Sequence, residues 1–489
     1  MRLTVRWPGA DNGSVTPLLA WIALLALAAP PTRGEFQVNT GTAGDQAYPA
    51  ACVDRQGRAV VAWESRGGDG DGTGVLLQRF DAGDARLGGE EIVNLARAGD
   101  QQAPALACTA DGAFVVVWES RAEGGDDFGI AAQRFDAGGA PQGAELAVDT
   151  HGAGRQRGAA ACHDAAGNFV VAWQSDAQDG DGYGVFAQRF DAGGERRGGE
   201  LGINQTTAES QSRPALACAP AGDVVVAWQS EGQDGDASGI FARRIDADGA
   251  PAGAEVQVNA TSAGSQRHAA IAPLGGGGFV VAWESGDGQD GDGAGIFARR
   301  LDGAGAPIGE EIGVASVTAF DQELPAVAAT RDGFVVAWSG WSDGDAFGVF
   351  ARHFDRDGVP TGAEFLVNSF TAGIQGALSD EPHPLVVAAG PSGDLLFAWH
   401  STRLRGVAQD GDGFGVFARG GRLGPGCPGD CDGDGAVTVD ELIAGVALAL
   451  DGGSLGACGA LDTDGDARVT VPELIAAVAA ALNGCDPAA

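Results

Sequence analysis

The runs Arg213-Pro214-Ala215-Leu216-Ala217-Cys218, Val224-Val225-Val226-Ala227-Trp228-Gln229-Ser230, Gly239-Ile240-Phe241-Ala242-Arg243-Arg244-Ile245 and Glu255-Val256-Gln257-Val258-Asn259 decide the fold. Each is apolar or alternating, has the length of a strand, and is set off by Gly, Asp or Pro; none is long enough for a helix. Four such strands in succession make an antiparallel meander. The pattern recurs with its tryptophan at Trp63, Trp118, Trp173, Trp228, Trp283, Trp338 and Trp399, a spacing of 55 residues until a short insertion precedes the last copy. A period of this size marks a repeat architecture.

Seven meanders either stack as a solenoid or close into a ring, and closure is favoured because it removes exposed sheet edges. The Glu-x-x-Val-Asn strand gives an independent count, at 35–39, 91–94 in shifted form, 145–149, 200–204, 255–259, 311–314 in degraded form and 364–368. One copy precedes the first Trp strand and none follows the last. The N-terminal strand is therefore predicted to complete the seventh blade. The expected fold is all-β, a seven-bladed β-propeller over residues 34–423, followed by a small α-helical module at 424–489.

Of the 489 residues, 66 are acidic and 30 basic, every basic one being Arg, for a net charge of -36. Such a charge repels phosphate backbones and anionic lipid, which excludes nucleic acid and membrane surfaces as partners. Arg2 and Arg6 precede an apolar run from Leu18 to Ala29 with Ala26-Leu27-Ala28 as a small-residue cleavage pattern. Residues 1–29 thus read as a signal peptide, and the protein as secreted, extracellular or at the cell surface. No stretch has the length of a transmembrane segment. Cys52, Cys108, Cys162 and Cys218 take the same place in the first four repeats and are expected as buried, mostly unpaired thiols. Cys427, Cys431, Cys458 and Cys485 cluster at the C-terminus, where export favours disulfides of open connectivity.

Most recurrent residues have structural roles. The Trp is expected between adjacent blades, with its ring N–H seeking one partner. The Gln or Arg after Phe-Ala (Gln78, Gln133, Gln188, Arg243, Arg299, Arg352, Arg419) and the Gln of the Ala-Gly-x-Gln turn (Gln46, Gln156, Gln211, Gln266) recur too regularly to mark one active site. The Asp-Gly-Asp turns, such as Asp69-Gly70-Asp71 and Asp234-Gly235-Asp236, admit two readings. Alternate carboxylates point two oxygens at a calcium ion, or Asp-Gly simply makes a tight turn; the lack of a third carboxylate and a distal Glu favours the turn. These repeats resemble those of secreted bacterial proteins often described as calcium-binding, over residues 34–423; the resemblance implies no reaction.

From Gly424 helical periodicity replaces strands. Asp430-Cys431-Asp432-Gly433-Asp434-Gly435-Ala436-Val437-Thr438-Val439-Asp440-Glu441 fits the EF-hand calcium loop: Asp430, Asp432 and Asp434 as oxygen ligands, Gly435 at the sharp turn, the Ala436 carbonyl, Thr438, and Glu441 bidentate. The loop returns at Asp462 with Asp464, Asp466, Arg468, Thr470 and Glu473, but Ala467 replaces the glycine at a cost of about 1 kcal/mol, so the second site is expected to be weaker. The exit helices match, Leu442, Ile443, Val446 and Leu450 against Leu474, Ile475, Val478 and Leu482, and their apolar stripes are expected to pack together. Two loop-helix units without an entering helix resemble a type I dockerin, which implies a cohesin-like partner. The chain departs from that pattern at Glu441 and Glu473, where dockerins carry Asp, and at Val439, Asp440, Val471 and Pro472 in place of small hydroxylated residues.

Three functions fit: a secreted calcium-binding protein whose propeller binds a glycan or protein, an extracellular carbohydrate-active enzyme, or a structural envelope or matrix component. The acids repeat evenly, where a glycosidase pair would stand out on one or two blades. His151, His163, His268, His353, His383 and His400 share no metal or triad spacing and read as surface residues. No nucleophile motif is present. The first reading is preferred, with calcium as the cofactor and no catalytic residue assigned.

Overall fold

Four strands per repeat, lettered a to d outward from the axis, form each blade. Blade 1 comprises Gln46–Val53, Ala59–Arg66, Thr73–Phe80 and Glu91–Ile92, and five further four-stranded sheets repeat it. The structure, a computed structural model, describes residues 33–121, 127–286, 288–341, 346–376, 385–402, 409–422 and scattered positions between 437 and 481. The predicted leader lies outside these residues.

The seventh sheet shows how the ring closes. Its strands Asp394–Thr402 and Phe414–Arg422 are completed on the outside by Glu35–Gln37 from the N-terminus, with Glu35 opposite Arg419 and Phe36 opposite Ala418. The Val416 amide donates to Asn39 Oδ1 at 2.8 Å. Asn94, Asn204, Asn259 and Asn368 accept the same bond on their own blades at 2.7 to 2.9 Å. The N-terminal strand thus does for blade 7 what each local strand d does elsewhere.

Blades are joined by packing and by a cycle of carboxylates. The seven repeat tryptophans are almost fully buried; Trp63 packs with Val38, Ala388 and Leu396 across the seam with blade 7, and Trp283 with Ala217, Val225 and Ala227 of blade 4. A Glu on or just before each strand d accepts the amide that follows the Asn, or its equivalent, on the preceding blade. The pairs are Glu90 with Thr40, Glu145 with Leu95, Glu200 with Thr150, Glu255 with Gln205, Glu311 with Ala260, Glu364 with Ser316, and Glu35 with Ser369. The last pair brings the cycle back to its start.

Two expectations are corrected. The four blade cysteines are not free thiols: Cys52 bonds Cys108 and Cys162 bonds Cys218, tying blade 1 to 2 and blade 3 to 4. All four sit late on strand a, where neighbouring blades converge, and Cα separations of 5.9 and 5.6 Å fall within disulfide reach. At the C-terminus, isolated positions with helical backbone are described, among them Leu442, Ile443, Val446, Leu474, Ile475 and Val478. Ile443, Val446, Ile475 and Val478 are exposed, so these residues do not form the shared buried stripe. Burial falls instead on Gly445 and Ala477, with Leu442 and Leu474 three residues earlier half-buried, a line of i, i+3 neighbours.

Asn39→Ala should destabilise the protein by about 1–3 kcal/mol, because it leaves a buried amide unsatisfied. Asn204→Ala should cost a similar amount in urea titrations if the terminal strand is a full blade member. Removing the Cys52–Cys108 bridge, which closes a loop of 56 residues, should cost about 4 kcal/mol by loop entropy.

Candidate ligand-binding face

Of the twelve predicted calcium ligands, Asp430, Asp432, Asp434, Ala436, Thr438, Glu441, Asp462, Asp464, Asp466, Arg468 and Glu473 lie outside the described residues. Thr470 is described, and its carbonyl accepts the Leu474 amide at 3.0 Å. Cys427, Cys431, Cys458 and Cys485 also lie outside. Among the described residues no group of three or more His, Cys, Asp or Glu is placed to hold a metal ion.

The repeated polar residues of the propeller are tied into the scaffold. In the acidic turns the first Asp accepts from the strand-d Asn, as in Asn204 to Asp179 at 2.7 Å and Asn259 to Asp234 at 2.9 Å. The second Asp accepts an amide of the turn leading into the next blade, as in Gly264 to Asp236 at 3.0 Å and Glu209 to Asp181 at 3.1 Å. Arg243, Arg299, Arg352 and Arg419 donate to carbonyls of the preceding blade at 2.8 to 3.0 Å. Gln46, Gln156, Gln211 and Gln266 donate to carbonyls of their own turns.

Variation is concentrated around the axis. The residue after the repeat Trp is Glu64, Glu119, Gln174, Gln229, Glu284, Ser339 or His400, depending on the blade. Opposite it, strand a bulges in the first six blades, and the bulged residue has positive φ: Tyr48, Ala103, Gly158, Arg213, His268 and Leu324. The bulge turns its amide toward the preceding blade. Ala103 donates to Glu64 at 3.1 Å, Gly158 to Glu119 at 2.8 Å, Arg213 to Gln174 at 2.8 Å, Leu324 to Glu284 at 3.2 Å and Tyr48 to His400 Nδ1 at 3.4 Å. These contacts form a ring at the end of the axis where the Asp-Gly-Asp turns emerge. The disulfides sit at the other end.

Here buried carboxylates hold arginines that reach solvent. Glu284, 1% exposed, accepts from Arg267 Nε at 2.7 Å and meets His268 Nδ1 at 2.9 Å, while the Arg267 side chain stays 40% exposed. Burial pushes the Glu284 carboxyl up, but the hydrogen bond and charge of His268 and the charge of Arg267 outweigh it and hold it below the usual carboxylate range. Glu119, also buried, faces Arg157 Nε at 3.8 Å and accepts from Gln102 at 3.1 Å. The Arg157 guanidinium lies 4.6 Å from the Phe128 ring centre. Tyr48 meets His400 edge to face at 5.4 Å. A face with fixed guanidinium, imidazole, phenol and amide groups offers many hydrogen bonds to a polar ligand.

The expectation that the histidines lie on the surface is corrected. His400 and His353 are buried, and burial lowers the pKa of His163 and His353. His268 belongs to the axial cluster, and His383 lies outside the described residues. The evenness of the acids also fails at the residue after the Trp, where Glu64, Glu119 and Glu284 alternate with Gln, Ser and His. Aligning the repeats on the Trp and asking where they differ would have found this ring.

No family model and no curated relative matches the chain. Among solved structures it is similar to a protein of unknown function from Dyadobacter fermentans, at 14% identity and TM-score 0.44, covering 65% of this chain and 96% of that one. It is also similar to an α-L-arabinanase of Penicillium chrysogenum complexed with arabinobiose, at 14% identity and TM-score 0.40, covering 64% and 92%. A third is the GH93 α-L-arabinofuranosidase of Fusarium graminearum with arabinobiose, at 12% and 0.43, covering 64% and 91%. At this distance the likeness bears on neither substrate nor reaction.

Glu284→Gln should destabilise the protein by about 1.5–3 kcal/mol at pH 7, since it removes the charged acceptor that Arg267 and His268 share. A depressed carboxyl contributes stability above its unfolded pKa and loses it as pH falls through the folded value. The gap between variant and wild type in urea should therefore close only below the ordinary carboxylate range.

Proposed function

We propose that this is a secreted calcium-binding protein whose propeller binds a glycan at the axial end carrying the Asp-Gly-Asp turns. One observation carries the reading: the Trp and the carboxylate joints recur in all seven blades, whereas the residues around the axis vary, among them Tyr48, Arg157, Arg213, Arg267 and His268. Sugar hydroxyls are bound by fixed donors and acceptors of this kind beside an aromatic ring, and pre-organisation by Glu119 and Glu284 limits the ordering cost. Calcium is assigned to the loops 430–441 and 462–473, on their ligand pattern.

The alternative is an extracellular carbohydrate-active enzyme, with the buried Glu119 and Glu284 as its candidate acids. Against it, Glu284 is held ionised by its partners, whereas a general acid needs a raised pKa. A structural envelope or matrix role predicts no saturable ligand.

A panel of soluble polysaccharides should show saturable binding without release of reducing ends, and Arg213→Ala should weaken it about 10-fold, or about 1.4 kcal/mol. Release of reducing ends would establish the enzyme; absence of any binding would leave the structural role. Calorimetry on the whole protein should detect calcium uptake that Glu441→Gln and Glu473→Gln together abolish; unchanged uptake would remove the loop assignment.

A further inference from the structure

Blade 6 breaks the repeat at two neighbouring loops in the same sense. The turn from strand d into the next strand a holds glycine at its left-handed position in five blades (Gly44, Gly99, Gly154, Gly264 and Gly373). Leading into blade 4 the position is Glu209, and leading into blade 6 it is Phe320, with φ 65°. A bulky aromatic residue seldom adopts this conformation, which costs energy that glycine avoids. Phe320 is nevertheless 57% exposed, so its ring does not compensate by burial.

Beside it stands Trp341, at the end of strand b, where the other blades carry charged or small residues such as Arg66, Asp176 and Gly286. The Trp341 amide donates to the carbonyl of Asp321, the residue after Phe320, at 3.2 Å, so the two loops are fixed to each other. The indole is braced edge to face by Phe347, ring centres 5.1 Å apart, and remains 45% exposed. Every other tryptophan among the described residues is at most 2% exposed. A strained exposed phenylalanine and a braced exposed tryptophan, joined through the backbone at one corner of blade 6 and both absent from the other blades, mark that corner as a candidate ligand site.

We infer that Phe320 and Trp341 form a stacking platform for a pyranose ring of a neutral glycan, a subsite beside the axial ring. The inference rests on the glycan reading and adds the ligand's chemistry. Aromatic side chains carry roughly 150–250 Å2 each, so the exposed parts amount to on the order of 200 Å2. That is a fraction of the roughly 800 Å2 per partner of a stable protein interface, but it suits the apolar face of one sugar ring. Asp292, which accepts the Phe320 amide at 3.1 Å, and Asp321 border the platform with carboxylates. Together with the net charge of -36 they disfavour an anionic glycan and offer acceptors to hydroxyls.

The test uses the whole protein, with β-glucan, xylan and galactomannan as soluble neutral probes, and three variants. Trp341→Ala and Phe320→Gly should each weaken binding about 10-fold, and a bound probe should protect the wild-type fluorescence from acrylamide. Phe320→Gly, which restores the glycine of the repeat, should unfold at the same or a higher temperature than wild type. Undiminished affinity in both variants, with Arg213→Ala still weakened, would overturn the platform and leave the axial site standing. Affinity that falls only in step with a lower melting temperature in Phe320→Gly would show a structural role and overturn it too. Failure of the wild type to bind any polysaccharide would overturn the glycan reading and the platform with it.

Discussion

The carboxylate that each blade extends to the backbone of its neighbour is the constraint on which the ring depends. A charge-assisted bond to an amide fixes both distance and direction, and seven of them in a cycle allow only one closure. Glu35 is the link that returns the cycle to its beginning, because it comes from the N-terminus and accepts from Ser369 on blade 6. The buried tryptophans fill the spaces between blades, but packing alone is non-directional. The cycle sets the register in which that packing occurs.

Once the repeated polar groups are committed to joining blades, few remain to act on a ligand. Asp-Gly-Asp carboxylates cap turns, the Gln side chains serve carbonyls of their own turns and strands, and the Arg side chains serve carbonyls across blade boundaries. The exceptions gather at one end of the axis. There the strand-a bulges expose a backbone amide, and the residue after the Trp receives it, so a changeable side chain is built into the joint itself. Glu284 with Arg267 and His268 shows the result: a buried anion that holds an arginine toward solvent with an imidazole beside it.

The ring, its seven blades and its N-terminal closure were legible because they rest on what repeats: the Trp strand, and a Glu-x-x-Val-Asn strand found once before the first blade. The disulfides were not. Equivalent residues on neighbouring blades separate with radius, and spacing along the chain does not say that Cys52 and Cys108 sit on the innermost strands near their convergent ends. The axial residues were missed for a related reason. Glu64, Glu119 and Glu284 are lost among many other acids when each residue type is counted along the chain, and His400 differs from them in type although it holds the same place after Trp399. Phe320 and Trp341 carried a readable signal, an aromatic where the other copies have glycine or a polar residue. The loops expected to bind calcium were the most specific pattern in the chain, and the residues expected as ligands, apart from Thr470, fall outside the described part.

Because the carboxylate and Trp joints link equivalent positions in all seven blades, a blade meets these two partners wherever it stands in the ring. Exchange of one repeat for another by recombination within the gene would preserve the carboxylate cycle and the Trp packing while substituting a new residue after the Trp and at the bulge. Only the seam at Glu35 and the two stapled pairs of blades restrict such exchange. The fold is thereby suited to evolve new ligand preferences by reshuffling whole units, with the platform on blade 6 as one module that moves intact.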